Sequence, residues 1–253
     1  MPTTTSALNR VPAVTAYFWV IKVLCTTVGE TAADLLNEEL ELGLVGTTLL
    51  MTLLLCVALF FQFRARRYVP GVYWAVVVLI SVVGTLVTDN LSDNVGVPLE
   101  LSTLGFGVAL LLTFLAWYAA ERTLSIRSII TPRREALYWG AVLLTFALGT
   151  AAGDWLAEDL ALGYLPSALL FAAVIGVVVA AYRWLRLDAV VAFWVAYILT
   201  RPLGASLGDY LSQSPADGGL GLGTIATSAL FIASILAAVM YLTVSKRDVV
   251  ATS

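Results

Sequence analysis

One pattern occurs four times in this chain with identical spacing: an aromatic residue, Trp, nine residues, Gly, four residues, Asp, one residue and Leu. The copies are Phe18, Trp19, Gly29, Asp34 and Leu36; Tyr73, Trp74, Gly84, Asp89 and Leu91; Tyr138, Trp139, Gly149, Asp154 and Leu156; and Phe193, Trp194, Gly204, Asp209 and Leu211. Agreement at five positions in four copies predicts a chain built from four equivalent structural units.

The distances between the copies indicate how the units arose. Trp19 and Trp74 are 55 positions apart, Trp74 and Trp139 are 65 apart, and Trp139 and Trp194 are again 55 apart. A two-copy unit that was itself duplicated explains this order. We therefore predict a single membrane domain, 1–253, with repeats at about 11–66, 67–121, 132–185 and 187–245 and halves 1–125 and 126–253.

Each copy contains two apolar segments, and their length indicates a membrane protein. The chain is 60% hydrophobic and 12% charged, whereas a soluble domain has about 25% charged residues. A transmembrane helix needs about 20 apolar residues. Eight segments qualify: Val11–Leu36, Leu42–Phe63, Val69–Leu91, Leu99–Ala120, Glu135–Leu156, Leu160–Trp184, Ala189–Leu211 and Leu222–Val244. The expected fold class is all-α integral membrane, with eight transmembrane helices.

The charged residues of the loops predict the orientation. Every Lys and Arg in the loops falls on one side of the predicted helices, for example Arg66 and Arg127. The opposite loops have none and carry acids instead: Glu38, Glu39, Glu41, Asp93, Glu100, Glu158, Asp159 and Asp217. By the positive-inside rule both termini are cytoplasmic. Because each repeat has two spans, all four insert the same way up, around a pseudo-symmetry axis along the membrane normal.

Two segments carry a resemblance to a known family: Lys22–Asn37 (KVLCTTVGETAADLLN) and Arg201–Ser212 (RPLGASLGDYLS). The chain resembles a bacterial integral membrane family of four tandem two-helix repeats, each with a characteristic Trp, which is catalogued without an assigned function. The resemblance covers essentially the whole chain and implies the fold and a bacterial cell inner membrane. It implies no activity.

Each element of the repeat has a physical interpretation. Trp19, Trp74, Trp139 and Trp194 open their spans and are typical of an aromatic belt at a membrane interface. Gly29, Gly84, Gly149 and Gly204 favour close helix packing, with a hinge that frees backbone carbonyls as the alternative. The four Asp residues follow about 22 Å beyond the Trp along a helix, so we expect them to face the bundle interior or water.

The intramembrane charges suggest a cation site. Glu30 lies one turn before Asp34 on the same helix face, and Lys22 and Arg201 add two bases as gating or ion-pair residues. Five acids (Glu30, Asp34, Asp89, Asp154 and Asp209) against two bases leave a surplus of three negative charges. Carboxylate oxygens suit Mg²⁺, Mn²⁺, Ca²⁺ or protons. These acids are the predicted metal ligands, and buried ion pairs that fix helix register are the structural alternative.

We therefore expect a transporter or permease for a small hard cation, with Mn²⁺ or Mg²⁺ preferred and proton coupling as a further option. A transporter of an organic cation or small metabolite is the alternative. A membrane enzyme ranks lower, because the chain has no His and no nucleophile-elbow or phosphate-binding motif; a structural membrane subunit is a fourth hypothesis. No catalytic residue and no cofactor beyond a bound divalent cation are expected. The expected partners are the lipid bilayer and the cation, with a homo-oligomer as an option and no nucleic acid.

Overall fold

The structure, a computed structural model, describes residues 9–39 and 42–248, and helices are the regular secondary structure of these ranges. Its α-helices are α1 (Ala16–Asp34), α2 (Gly43–Arg64), α3 (Pro70–Asp89), α4 (Leu99–Glu121), α5 (Pro132–Asp154), α6 (Tyr164–Trp184), α7 (Ala189–Ser212) and α8 (Thr224–Ser245). The loop acid Glu41 and the side chains of Glu38 and Glu39 lie outside the described part. Residues 1–8 of the first predicted half and residues 249–253 of the second also lie outside the described part.

Two helices begin four or five residues later than the sequence predicts. The first was expected from Val11, but α1 starts at Ala16, because Thr15 adopts an extended conformation and accepts a hydrogen bond from the Phe18 amide as the N-cap. The sixth was expected from Leu160, but α6 starts at Tyr164. Gly163, with φ of 82°, precedes it, and this left-handed conformation favours glycine.

Seven of the eight α-helices are long and apolar enough to cross a membrane. The exception among the described helices is α1, which carries Lys22, Glu30 and Asp34 within its 19 residues. The chain is thus a multi-pass membrane protein. The eighth crossing, by α1, stays a prediction.

The first helix of each repeat belongs to an inner ring. α1 packs against α3 and α7, and α5 also packs against α3 and α7, so these four inner helices close a cycle. The four outer helices cover the ring from outside. Each lies mainly on the inner helix of the following repeat: α2 on α3, α4 on α5, α6 on α7 and α8 on α1. Successive repeats are therefore interlocked, and the fourth is interlocked with the first.

The outer helices present apolar side chains to the surroundings. Leu49 and Leu53 of α2 are 69% and 62% exposed, and Val177 of α6 is 66% exposed. Contiguous apolar surface of this kind is rare on a soluble monomer. It fits contact with lipid, which agrees with the length of these helices.

The repeated glycines hold the inner helices together. A Cβ atom on Gly149 of α5 would lie 2.6 Å from Cβ of Arg201 on α7, closer than any real packing contact. The other three glycines make the same kind of contact with the next inner helix: Gly29 with Ser81, Gly84 with Phe146, and Gly204 with Thr26. Each of the four partners stands seven positions after the Trp of its own repeat. Close packing is thus the observed role of these glycines, and none lies at a break in its helix.

The segment before α1 lies across the end of the bundle where the inner helices begin. The Asn9 amide donates to the carbonyl of Ile126, and the Tyr68 amide donates to the carbonyl of Asn9. Arg10 forms an ion pair with Glu135, which is fully buried and also accepts a hydrogen bond from Gln62. These contacts tie the N-terminal segment to α2, α5 and the α4–α5 loop.

Candidate functional site: a carboxylate cluster inside the helix ring

An aromatic layer fills the ring at the end where the inner helices begin. It consists of the aromatic pair from each repeat: Phe18, Trp19, Tyr73, Trp74, Tyr138, Trp139, Phe193 and Trp194. The first residue of each pair packs on the Trp of the next repeat, with ring centroids 5.4 to 6.2 Å apart. The Tyr73 and Tyr138 hydroxyls are hydrogen-bonded at 2.6 Å. The layer closes this end of the ring.

The tryptophans therefore do not form the lipid-facing belt that the sequence suggests. Trp74, Trp139 and Trp194 are 2%, 4% and 4% exposed, and only Trp19 is half-buried. The physical reason is the interlocking of the repeats, because each indole is covered by the aromatic residue of the preceding copy. Trp194 also donates its indole N–H to the carbonyl of Leu124.

At the opposite end of the ring, three carboxylates from three inner helices come together. Glu30 of α1, Asp154 of α5 and Asp209 of α7 each offer an oxygen, and these oxygens all lie within 4.8 Å of one another. Glu30 and Asp209 are buried, whereas Asp154 is half-buried. We call these three residues the acidic cluster. Asp154 is thus the member of the acidic cluster whose side chain is partly exposed.

Asp34 and Asp89 lie near the acidic cluster but are not members of it. Both are half-buried, and Asp89 is close enough to Glu30 and Asp34 to interact with them electrostatically. Asp209 interacts in the same way with Asp34. The four repeated aspartates thus share one end of the ring, but the closest grouping contains two of them together with Glu30.

A buried arginine contacts the acidic cluster. Arg201 donates from Nη2 to the Glu30 carboxylate at 2.6 Å and to the Thr85 hydroxyl, and from Nη1 to the Thr26 carbonyl at 3.3 Å. Thr85 in turn donates to Glu30 at 3.3 Å. Three inner helices, α1, α3 and α7, therefore meet at this guanidinium. The predicted ion-pair role fits Arg201.

Lys22 is placed differently from what an ion-pair role requires. Its side chain is fully buried, and its Nζ has neither a hydrogen bond nor an ion pair among the described residues. Nζ instead lies 3.9 Å from the ring centroid of Phe146 and 4.3 Å from that of Tyr197. Both rings are fully buried. The Lys22 amine therefore packs against two aromatic rings, between the aromatic layer and Arg201.

Three of the four repeated aspartates end an α-helix at the same place. A short π-helix follows directly after Asp34, Asp89 and Asp154: Leu35–Glu39, Asn90–Asn94 and Trp155–Asp159. In the fourth repeat α7 continues as an α-helix through Asp209 to Ser212. π-Helical turns are rare and are frequent at functional sites. Here each lies between an inner helix and the outer helix that follows it, just beyond the carboxylate.

Two residues of this region were missed by the sequence reasoning, Phe146 and Tyr197. Phe146 has a signal that was available: it stands seven positions after its Trp, as Arg201 does. Tyr197 stands three positions after its Trp, where Lys22 stands in the first repeat. Comparing the copies position by position identifies both, whereas a search for charged residues passes over them.

The repeats match one family model four times, at residues 17–68, 72–123, 137–187 and 192–248. These matches cover most of the chain. Each overlaps one predicted repeat and ends two or three residues beyond it. The chain belongs to the DUF347 family. DUF347 is described as a repeat of unknown function, which confirms the resemblance seen in the sequence. No curated protein and no solved structure matches this DUF347 chain.

Proposed function

We propose that this protein is a transporter or permease for a small hard cation, with a divalent metal such as Mn²⁺ or Mg²⁺ as the preferred ion. The observation that carries the proposal is the acidic cluster, in which Glu30, Asp154 and Asp209 bring carboxylate oxygens from three helices to within 4.8 Å of one another. Asp34 and Asp89 would attract the ion toward this cluster. Proton coupling through these carboxylates belongs to the proposal.

The distances in the cluster fit hard cations. Two oxygens on opposite sides of a Ca²⁺ ion are about 4.9 Å apart, and about 4.1 Å apart across Mg²⁺. Oxygens within 4.8 Å of one another can therefore be bridged by an ion of this class. For the smaller Mg²⁺ and Mn²⁺ the carboxylates must approach one another by a few tenths of an ångström.

The local charge supports a divalent ion. Three ionised carboxylates beside one guanidinium, that of Arg201, leave two negative charges. A divalent cation neutralises this remainder, whereas a monovalent ion leaves it half compensated. Glu30 is shared between Arg201 and the proposed ion, so Arg201 restricts how strongly Glu30 ligates.

The membrane arrangement that accompanies this function is also part of the proposal. α1 would be the eighth transmembrane helix, its charges facing into the ring and away from lipid. The equivalent glycine and aromatic contacts of the four repeats support a pseudo-fourfold axis along the membrane normal. The basic loops support cytoplasmic termini in a bacterial inner membrane. The aromatic layer would then close the cytoplasmic end, and transport requires it to rearrange.

Metal binding by purified protein tests this proposal. Mn²⁺ binding is followed by electron paramagnetic resonance for the wild type and for Asp154→Asn, Asp209→Asn and Asp93→Asn. We expect at least about tenfold weaker binding for the first two variants, since each loses one charged ligand and about 1.4 kcal/mol is a factor of ten. Asp93 is exposed, so its variant is the matched control and should bind like the wild type.

Two results would contradict the proposal. One is an absence of saturable Mn²⁺, Mg²⁺ or Ca²⁺ binding to folded wild type. The other is unchanged affinity in both Asp154→Asn and Asp209→Asn. Displacement by organic ammonium ions with no metal binding would favour the organic-cation alternative instead.

A further inference from the structure

A groove on the outside of the inner ring carries a second inference, independent of the proposed transport. It lies between α1, α6 and α7, with the α4–α5 loop at one end, and has a volume of about 520 Å³. Its lining is mainly apolar along the helices, for example Val23, Ile175 and Leu203. Its charged and hydroxyl-bearing residues are Ser125 and Arg127 of the loop, Tyr182 of the last turn of α6, and Thr200 of α7, whose hydroxyl donates to the Tyr197 carbonyl of the same helix.

The polar residues of the loop and of α6 lie at the aromatic end of the bundle. The loop residue Leu124, which precedes Ser125, accepts a hydrogen bond from Trp194 of the aromatic layer. From there the lining follows α7 from Ala189 to Leu203, a length of about 21 Å along a helix. One leaflet of the hydrocarbon core is about 15 Å thick. The groove is thus long enough for one acyl chain, with polar groups at the depth of a headgroup.

The loop that forms this polar end is the one irregularity in the repeat spacing. Trp74 and Trp139 are 65 positions apart, against 55 for the other neighbouring pairs. Part of the additional length falls in the loop between α4 and α5, 122–131, which is longer than the loop between α2 and α3, 65–69, and contains the short helix Ile126–Ser128. Four equivalent repeats do not need this insertion. It places Arg127 at the rim of the groove between the first and fourth repeats.

Arg127 has the properties of a headgroup ligand. It is exposed, and its guanidinium has no hydrogen-bond or ion-pair partner within the residues that the structure describes. A guanidinium binds phosphate strongly through two parallel hydrogen bonds. Basic residues beside gaps between transmembrane helices are a recognised means of binding anionic lipid.

We propose that this groove binds an anionic phospholipid, with one acyl chain along α6 and α7 and the phosphate at Arg127. The apolar lining accounts for the acyl chain, and the positive charge at one end accounts for the preference for an anionic headgroup. The lipid would fill the space between α1, α6 and α7 and so stabilise the contact between α1 and α7, where the ring closes.

Native mass spectrometry of the intact protein tests this site, with phosphatidylglycerol and phosphatidylcholine of the same chain length added in turn. We expect the wild type to retain phosphatidylglycerol preferentially. Arg127→Gln should reduce that preference about fivefold, the equivalent of about 1 kcal/mol for one basic residue at a membrane surface. Arg66→Gln, a change in another exposed loop arginine, should keep it.

A second pair of variants tests the apolar part. Val179 lines the groove and is 56% exposed, whereas Val177 on the same helix does not line it and is 66% exposed. Val179→Trp should reduce retention of the lipid, and Val177→Trp should not. Equal retention of both lipids by the wild type, or an unchanged preference in Arg127→Gln, would overturn the assignment.

Discussion

The guanidinium of Arg201 on α7 lies 2.6 Å from the carboxylate of Glu30 on α1, and the two side chains are 0% and 9% exposed. This pair joins the fourth repeat to the first, where the ring of inner helices closes. It also takes up one of the three carboxylates of the acidic cluster. The pair therefore links the stability of the ring to the charge of the proposed cation site.

Breaking this pair from one side should destabilise the protein strongly. Glu30→Gln removes the carboxylate that is hydrogen-bonded to the buried Arg201 guanidinium, and breaking a buried ion pair from one side costs about 3–5 kcal/mol. We expect a lower free energy of unfolding in mixed detergent micelles. The double variant Glu30→Gln/Arg201→Met should recover most of the loss, because both charges are then absent. A single variant as stable as the wild type would show that the pair does not hold the ring.

The packing of the glycines predicts a contrast between two positions on α5. Gly149→Ala places a Cβ atom 2.6 Å from side-chain atoms of Arg201, and such overpacking costs about 1–3 kcal/mol. At Gly140 a Cβ meets nothing within 4 Å. Gly140→Ala should therefore leave stability unchanged or raise it slightly, through the better helix propensity of Ala. Equal effects at the two positions in thermal unfolding would contradict the proposed packing of α5 on α7.

Replacing Lys22 should not lower the free energy of unfolding, in contrast to replacing Glu30. Lys22→Met preserves the length of the side chain and removes a buried amine that has no hydrogen-bond partner. Since an unpaired buried charge is unfavourable, the free energy of unfolding should be equal to or higher than that of the wild type. A loss of more than about 2 kcal/mol would instead mean that the cation–π contact with Phe146 stabilises the fold.

The short C-terminal segment after α8 predicts a dependence on pH. Asp248 is buried and accepts a hydrogen bond from the Tyr68 hydroxyl. Burial raises the pKa of the Asp248 carboxyl, against the opposing effect of that hydrogen bond. A carboxyl whose pKa is raised on folding disfavours the folded state once it ionises, so its unfavourable contribution grows as the pH rises through that pKa and disappears toward acid.

Asp248→Asn removes this contribution and retains an acceptor for Tyr68. We expect the variant to exceed the wild type in stability at pH 7.5, and the difference between the two to shrink at pH 4.5. Asp159→Asn, at an exposed position, serves as the control for a general change in net charge. A difference that is independent of pH would show that Asp248 acts through its shape or its hydrogen bond alone.

Much of the fold was predictable from the sequence because the repeat is regular. The spacing of Trp, Gly and Asp identified four units, and it placed Gly29, Gly84, Gly149 and Gly204 at helix contacts. The apolar segments predicted eight spans, of which seven are long and apolar enough in the described structure to cross a membrane. The order in which the helices pack around the ring could not be predicted from the sequence in the same way. Periodicity within one helix does not reveal that α2 packs on α3, because that choice depends on which neighbour buries the aromatic pair of each repeat.

The candidate site was predictable in composition but not in grouping. The sequence named Glu30 and the four aspartates as one set, whereas the structure brings Glu30, Asp154 and Asp209 closest together. The difference arises from Arg201, which occurs in only one repeat and draws Glu30 toward α7. The surroundings of Lys22 were missed for a related reason, since its neighbours Phe146 and Tyr197 are aromatic and lie on other helices.

The most direct test of the central claim is cation flux in proteoliposomes. Mn²⁺ entry is measured with a fluorescent indicator for the wild type, for Asp154→Asn/Asp209→Asn and for the exposed-site control Asp93→Asn, each checked for folding by its circular dichroism. The proposed function predicts protein-dependent flux in the wild type and the control, and at least a tenfold loss in the double variant. Equal flux in all three proteins would contradict an ion path through the acidic cluster. An absence of Mn²⁺, Mg²⁺ and Ca²⁺ flux in all three proteins would also contradict it.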